Sequence, residues 1–549
     1  MPNFTRRDFL RTTPLGVAGV VLGSRRAGAT SVPLSPCVGR LTAQQLLPER
    51  LTPLTLQRLA AAAVEAARQA GASYADVRVA EQQGLGVHPM QEPFGNISLL
   101  PKFMYGIRVN VDGAWAFLHG STPTLDAVAT SAKNAVATAR SYRGHYGGHL
   151  AFSAMPAVHD AYVFPVQIDP FTVPLYDQAD VLWALAKSAQ ARTSTMRVDF
   201  NWTRETRVFA SSEGAMLTQT FQRSEPAVTV YATRTAYTGT CSRDVLLPSS
   251  AGFECVLAPT LPETIKAAAE ELAVLAALPR GQLDVGRYPL VLDGTSFGAT
   301  LMPTLASAFT LDRVMGDDAG AVGTSYLAPP DAWLGKPVAS DLLNVTGNRE
   351  FPHITAIKWD DDGVATRAFP LIQGGRLSTY CTSRRSLATL AGQNPSFASS
   401  MALTGCAAAP NADQAVRSAL PHLSVDPASR STTLVDLYKD MAHGVLVQQN
   451  IEEWQTDAQL ATGFKAFRES GNLYEIVRGK IVRRLQGNAL QFNTNRFWQS
   501  LIALGDASTV QPSVQKIYDG QPLALLFQSA SAPAGAFKSA DLISTARFA

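Results

Sequence analysis

The chain has 549 residues, with 47 Lys and Arg against 44 Asp and Glu for a formal net charge of +3, and is 46% hydrophobic and 17% charged. The positive excess sits at the front: residues 1–29 hold five Arg and one Asp, so the remaining 520 residues carry about −1. A near-neutral body removes the electrostatic case for nucleic acid or an anionic membrane surface as a partner, and its length suggests about three domains at ~150 residues each.

Thr5-Arg6-Arg7-Asp8-Phe9-Leu10-Arg11 has the twin-arginine pattern, followed by an uncharged run from Thr12 to Ser24 and the small residues Ala27-Gly28-Ala29. A charged start, a short apolar run and an A-x-A-like end predict an export signal over residues 1–29. The run is too short and glycine-rich to span a bilayer as a helix. The expected protein is therefore bacterial, periplasmic or otherwise exported, without an integral membrane segment in its mature chain. Cys37, Cys241, Cys255, Cys381 and Cys406 form no C-x-x-C pair, which excludes zinc-ribbon and thioredoxin-like spacing. An oxidising compartment permits a disulfide; Cys241 with Cys255 could close a hairpin, and free buried thiols are the alternative. Their pairing stays open.

Residues 30–50 read as a linker. Thr52 as cap, Pro53 at the first helical position and Gly71 at the end predict a helix whose stripe is Leu56, Leu59, Ala60, Ala63 and Ala67. Tyr74–Val79 alternates as a strand, and Met104–Val111 with Ala114–Leu118 reads as a hairpin about Asp112-Gly113. A second alanine-rich helix, Leu125–Ala139, completes an α+β domain over residues 30–150. A central segment, 151–284, carries the turn Ser211-Ser-Glu-Gly214, the alternating Ala227–Ala232 and a helix from Glu263 to Leu278. Residues 285–549 read as a large β-rich domain with short helices, so the fold class is α+β. The domain opens with a strand, Pro289–Leu292, that leads through Asp293-Gly294 into an apolar helix from Ser296 to Phe309, with Pro303 breaking its hydrogen bonding.

The order of pieces resembles the TldD/PmbA family of metallopeptidases. "ASYADVRV" and "YGIRVNVDGAWAF" are similar to its N-terminal signature, with Ala116 where a Gly is common. Leu311-Asp-Arg-Val-Met-Gly316 and Gly323-Thr-Ser-Tyr-Leu327 resemble its "GDRV" and "GTSFL" segments. Further likenesses, among them Asp360-Asp361-Asp362-Gly363 and Ala442–Val447, extend to about Asp519. The resemblance implies a subunit that pairs with a like subunit, in a homo- or hetero-oligomer, around a chamber where peptides are cut. It also implies a zinc held by an H-E-x-x-x-H helix and by a Cys near the C-terminus in a "CGKxGQ" segment. Here the helical positions read Met302-Pro303-Thr304-Leu305-Ala306-Ser307, and Val510–Pro522 has neither Cys nor His. Met is a poor zinc ligand, Ser an unusual one, and Pro cannot be a general base. No catalytic residue, metal ligand or cofactor is therefore assigned, zinc entering only if ligands come from elsewhere or from another chain. Members lacking the motif act as partner subunits of active ones. The expectation is thus an exported, non-catalytic peptide-handling or partner subunit, with an active metallopeptidase and a periplasmic peptide-binding protein as alternatives.

Other clusters have plainer readings. His145-Tyr-Gly-Gly-His149 is a glycine-flanked loop, Asp360-Asp361-Asp362 a hairpin turn, and His353, His422 and His443 are isolated structural residues. Arg384-Arg385 and Arg483-Arg484 are expected on solvated strands or turns. There is no G-x-S-x-G, no phosphate loop, and no His close in sequence to Cys381 or Cys406.

Overall fold

In the computed structural model, residues 30–33, 38, 40–88, 96–143, 150–188, 194–233, 240–319, 323–350, 352–449, 455–457, 462–466, 472–519 and 524–545 are described. The twin-arginine stretch, Cys37, the Cys241 side chain and the loop from His145 to His149 lie outside them.

Helix α1 (Pro53–Gln69) begins where Thr52 accepts the Thr55 N–H and Pro53 needs no partner. Strands β1 (Tyr74–His88) and β2 (Asn96–Val111) pair antiparallel from Tyr74↔Asn110 to His88↔Asn96. They are much longer than the alternation of Tyr74–Val79 indicated. β3 (Ala114–Gly120) returns on β2 through Asp112 and Gly113, both at positive φ (51° and 91°), as an Asp-Gly hairpin requires. Helix α2 (Leu125–Ser141), capped by Thr124, lies beside α1. Their alanine-rich stripes bury against Val77, Val79, Ile107 and Val109 of the sheet.

Helix α3 (Leu175–Ser188), strands β4 (Ser194–Ser211), β5 (Met216–Thr233) and β6 (Thr240–Leu246), and helix α4 (Leu261–Ala277) follow. β4 pairs with β1, β5 with β4 and β6 with β5, so strands from either side of residue 150 share one eight-stranded sheet. Helices α3 and α4 pack between this sheet and the C-terminal half, in a core that includes Val291, Leu446 and Ile476.

The C-terminal half opens with β7 (Gly286–Leu292) and α5 (Gly294–Thr304). Later come β8 (His422–Val425), β9 (His443–Val447), β10 (Gln511–Asp519), β11 (Ala524–Ala532) and β12 (Gly535–Ser544). β7 lies between parallel β9 and antiparallel β12 in a ten-stranded sheet. β8, β11 and β10 form one end of a separate six-stranded sheet, with β10 its last strand. The architecture is α+β.

The two halves are joined by buried ion pairs. The turn at Asp360–Gly363 sits against charged side chains of the N-terminal sheet. Arg108 bridges Asp76 and Asp362 at 2.7 Å each, and Arg207 contacts Asp361 and Glu205 at 2.6 Å each. Arg384 is 3% exposed and pairs with Glu213 at 2.9 Å, while Arg484 is 1% exposed. Solvated positions were expected for both arginines. Burial is affordable for Arg384 because its fork meets Glu213, the Tyr74 hydroxyl and the Ser153 carbonyl together. Asp360–Asp362 do form a turn, with Gly363 at φ 79° and Trp359 bridged to Ala365, but a buried one.

Candidate functional site

α5 is set by its first residue and by what lies under it. The Asp293 side chain accepts the Ser296 N–H at 2.8 Å, and its second oxygen takes the Gln449 N–H at 2.8 Å. Burial pushes this carboxyl up, against the pull of those N–H groups. Every residue of α5 is buried, and the helix packs over β10 and β11. The approach is close: a Cβ on Gly298 would lie 3.0 Å from Ser513 Cβ and 3.2 Å from Ala530 Cβ.

The expected helix to Phe309 ends earlier. α-Helical structure stops at Thr304, one residue after Pro303, and Ala306–Phe309 continues as a 3-10 turn. Pro303 has no N–H to give to the Ala299 carbonyl four residues back. The Gln515 amide of β10 reaches that carbonyl instead, at 3.4 Å. The hydroxyls are also turned inward: Thr300 donates to Ser296 O, Thr304 to Thr300 O and Ser307 to Pro303 O, at 2.6–2.7 Å. Met302 is 0% and Ser307 5% exposed, inside a core with Leu301, Leu305, Phe309 and Trp498.

These residues do not fit a zinc ion. The two positions that would present imidazoles hold a thioether packed in the core and a hydroxyl already donated to the backbone. The position of the general base is a proline, which carries no carboxylate. β10, packed under α5, brings Ser513 to Gly298 and Gln515 to the Ala299 carbonyl. Among the described residues, no three His, Cys, Asp or Glu are grouped to hold a metal ion.

A cavity of about 370 Å³ opens beside the start of α5. β6 and the following residues to Ser249 form one wall, and β10 and β11 the other; Thr295, Gln449, His353 and His422 complete it. The sequence reading kept His353 and His422 apart as isolated residues. In the structure their rings stack in parallel, centroids 3.4 Å apart and planes within 5°. His422 Nδ1 meets Ser529 Oγ at 3.0 Å, while its Nε2 is buried without a hydrogen-bond partner, as is Ser513 Oγ. Burial, and then the neighbouring imidazole, lowers His422 to about 3; burial also lowers His353. The shared local mark of the two is a preceding proline, Pro352 and Pro421.

A Ser–His contact invites comparison with a hydrolase, and the chemistry decides against it. A general base works best with a pKa near the operating pH, which His422 misses by several units. No carboxylate orients its free nitrogen, as a triad requires. What remains is a slot in which Arg243, Asp244 and neutral donors and acceptors stand among Val, Leu, Pro and Ala side chains, suited to binding. His443, also expected to be structural, pairs with Glu475 at 3.0 Å away from this cavity. Cys255 is a free thiol, so the hairpin closure with Cys241 is not made.

Residues 285–540 match the family described as "PmbA/TldA metallopeptidase C-terminal domain". Among curated protein sequences, none matches the chain. Three solved structures share the fold. A Thermotoga maritima protein described as a candidate modulator of a DNA gyrase is 15% identical, with TM-score 0.64 over 89% of this chain and 100% of its own. TldE from Thermococcus kodakarensis is 12% identical, with TM-score 0.63 over 87% and 98%. A Bacteroides thetaiotaomicron protein, also described as a candidate modulator of DNA gyrase, is 15% identical, with TM-score 0.62 over 89% and 98%. Residues 285–540 of the chain thus form a C-terminal domain of the PmbA/TldD metallopeptidase type, on a fold shared with these three structures.

Proposed function

We propose that this protein is a non-catalytic member of its family that handles peptides as the partner subunit of a homologue with an intact metal helix. It acts outside the cytoplasm after twin-arginine export. The observation that carries the reading is the closure of α5: Met302, Pro303 and Ser307 are packed or hydrogen-bonded into the core, and Gln515 repairs the backbone that Pro303 leaves open. A site awaiting ligands from another chain would need those positions to face open space. The cavity beside α5 supports a second role, binding peptides without a partner, because its hydrogen-bonding walls, Arg243 and Asp244 among them, suit amide groups and charged ends. The test is co-expression with the intact-motif homologue, followed by purification, metal analysis and peptide cleavage. The partner reading expects a stable complex whose zinc and activity vanish when the homologue's own ligands are mutated. Zinc that follows this chain alone overturns it.

A further inference from the structure

Two thiols outside both sites face each other. Thr382 and Thr404 each donate their backbone N–H to the other's hydroxyl at 2.9 Å, with the hydroxyls 3.1 Å apart. This cross-link brings the segment that carries Cys381 beside the one that carries Cys406. Both cysteines are fully buried and are neighbours, and the Cys406 Sγ also points at the Thr404 carbonyl at 3.9 Å. Cys381 is also fixed to the segment after α5: its N–H donates to Phe309 O and its carbonyl accepts the Leu311 N–H, both at 2.9 Å. The Arg349 guanidinium lies on the other side, donating to the Cys406 carbonyl at 3.4 Å.

We propose that Cys381 and Cys406 are a peroxide-oxidisable pair that interconverts between dithiol and intramolecular disulfide. The groups around each thiol divide the roles. Burial alone would raise Cys406, but the Cys381 hydrogen bond and the Arg349 charge outweigh it and bring the thiol down to about 7. The same hydrogen bond, with burial, raises Cys381. Cys406 is therefore the thiolate that attacks, and Cys381 the thiol that resolves. Cys406 sulfur attacks one oxygen of hydrogen peroxide; the O–O bond breaks, the departing oxygen leaves as water, and Cys406 becomes a sulfenic acid. Cys381 sulfur then attacks that sulfur. The S–S bond forms, the S–OH bond breaks, and hydroxide leaves as water with the Cys381 proton. Two thiols are oxidised by two electrons, and one peroxide is reduced to two waters. An oxidant little larger than water suits a fully buried pair. Cys255 is an internal control: burial, with Glu254 beside it, holds that thiol up at about 12.

The experiment treats the purified protein with hydrogen peroxide, alkylates it under denaturing conditions and maps the peptides by mass spectrometry. The expected product is a reducible peptide pair joined through Cys381 and Cys406, with Cys255 still alkylated and the Tm raised by several degrees until reductant is added. In Cys381→Ser, the same dose should carry Cys406 on to sulfinic acid; in Cys406→Ser, Cys381 should stay alkylatable. The proposal fails if wild-type protein keeps both thiols alkylatable after oxidation, or if Cys406 overoxidises while Cys381 remains free. The wild-type reading stands even if a variant folds poorly.

Discussion

At position 303 the chain has a residue without an N–H in the last turn of a buried helix, and the strand beneath supplies the missing donor from Gln515. Two positions far apart in sequence thus answer each other. His422 shows the same dependence on long-range contacts: its ring is held neutral first by burial and then by the His353 imidazole stacked on it, not by its neighbours in the chain. Its folded pKa, about 3, lies below the unfolded value near 6.5. A base depressed in this way leaves the unfolded state holding the extra proton. Its contribution is present above pH ~6.5 and is lost as pH falls toward 3, at up to about 1.4 kcal/mol per pH unit. His422→Gln keeps a hydrogen-bonding group for Ser529 but does not titrate. Denaturant unfolding of the variant between pH 4 and 6 should show a stability slope shallower than wild type by about one proton. Equal slopes would mean that His422 is not held neutral.

α5 is the element on which the functional reading rests. Its apolar character and the break at Pro303 were legible in the sequence, because both are local. Its closure was not, since that depends on how nearly β10 approaches Gly298. The arginines show the same boundary. Arg384 and Arg484 look like surface residues until the fold brings Glu213 or a buried sheet to them. By contrast, Thr52 could be read as a cap from the residues that follow it. Rebuilding the metal motif as Met302→His, Pro303→Glu and Ser307→His should therefore fail. Placing two imidazoles and a carboxylate in a packed core should cost more than about 3 kcal/mol without yielding a zinc site. Thermal unfolding with and without zinc measures both effects; a Tm rising with stoichiometric zinc would show that α5 is not closed.

Over the whole molecule, the N-terminal sheet and the C-terminal half are held together by charge as well as by apolar packing. Arg207 sits between Glu205 and Asp361, each at 2.6 Å, with all three side chains buried. Removing the guanidinium leaves two carboxylates without their cation, a loss typically of about 3–5 kcal/mol. Arg207→Ala should lower the denaturation midpoint accordingly, and adding Asp361→Asn should recover part of the loss; a change under about 1 kcal/mol would place the strength of the junction elsewhere.

A rigid frame with a closed metal helix leads to one direct measurement: zinc content of the purified full chain by mass spectrometry, with peptide cleavage assayed before and after chelation. The protein should hold far less than one zinc per chain, and any cleavage should be indifferent to the chelator. About one tightly held zinc per chain, with chelator-sensitive cleavage, would contradict the account.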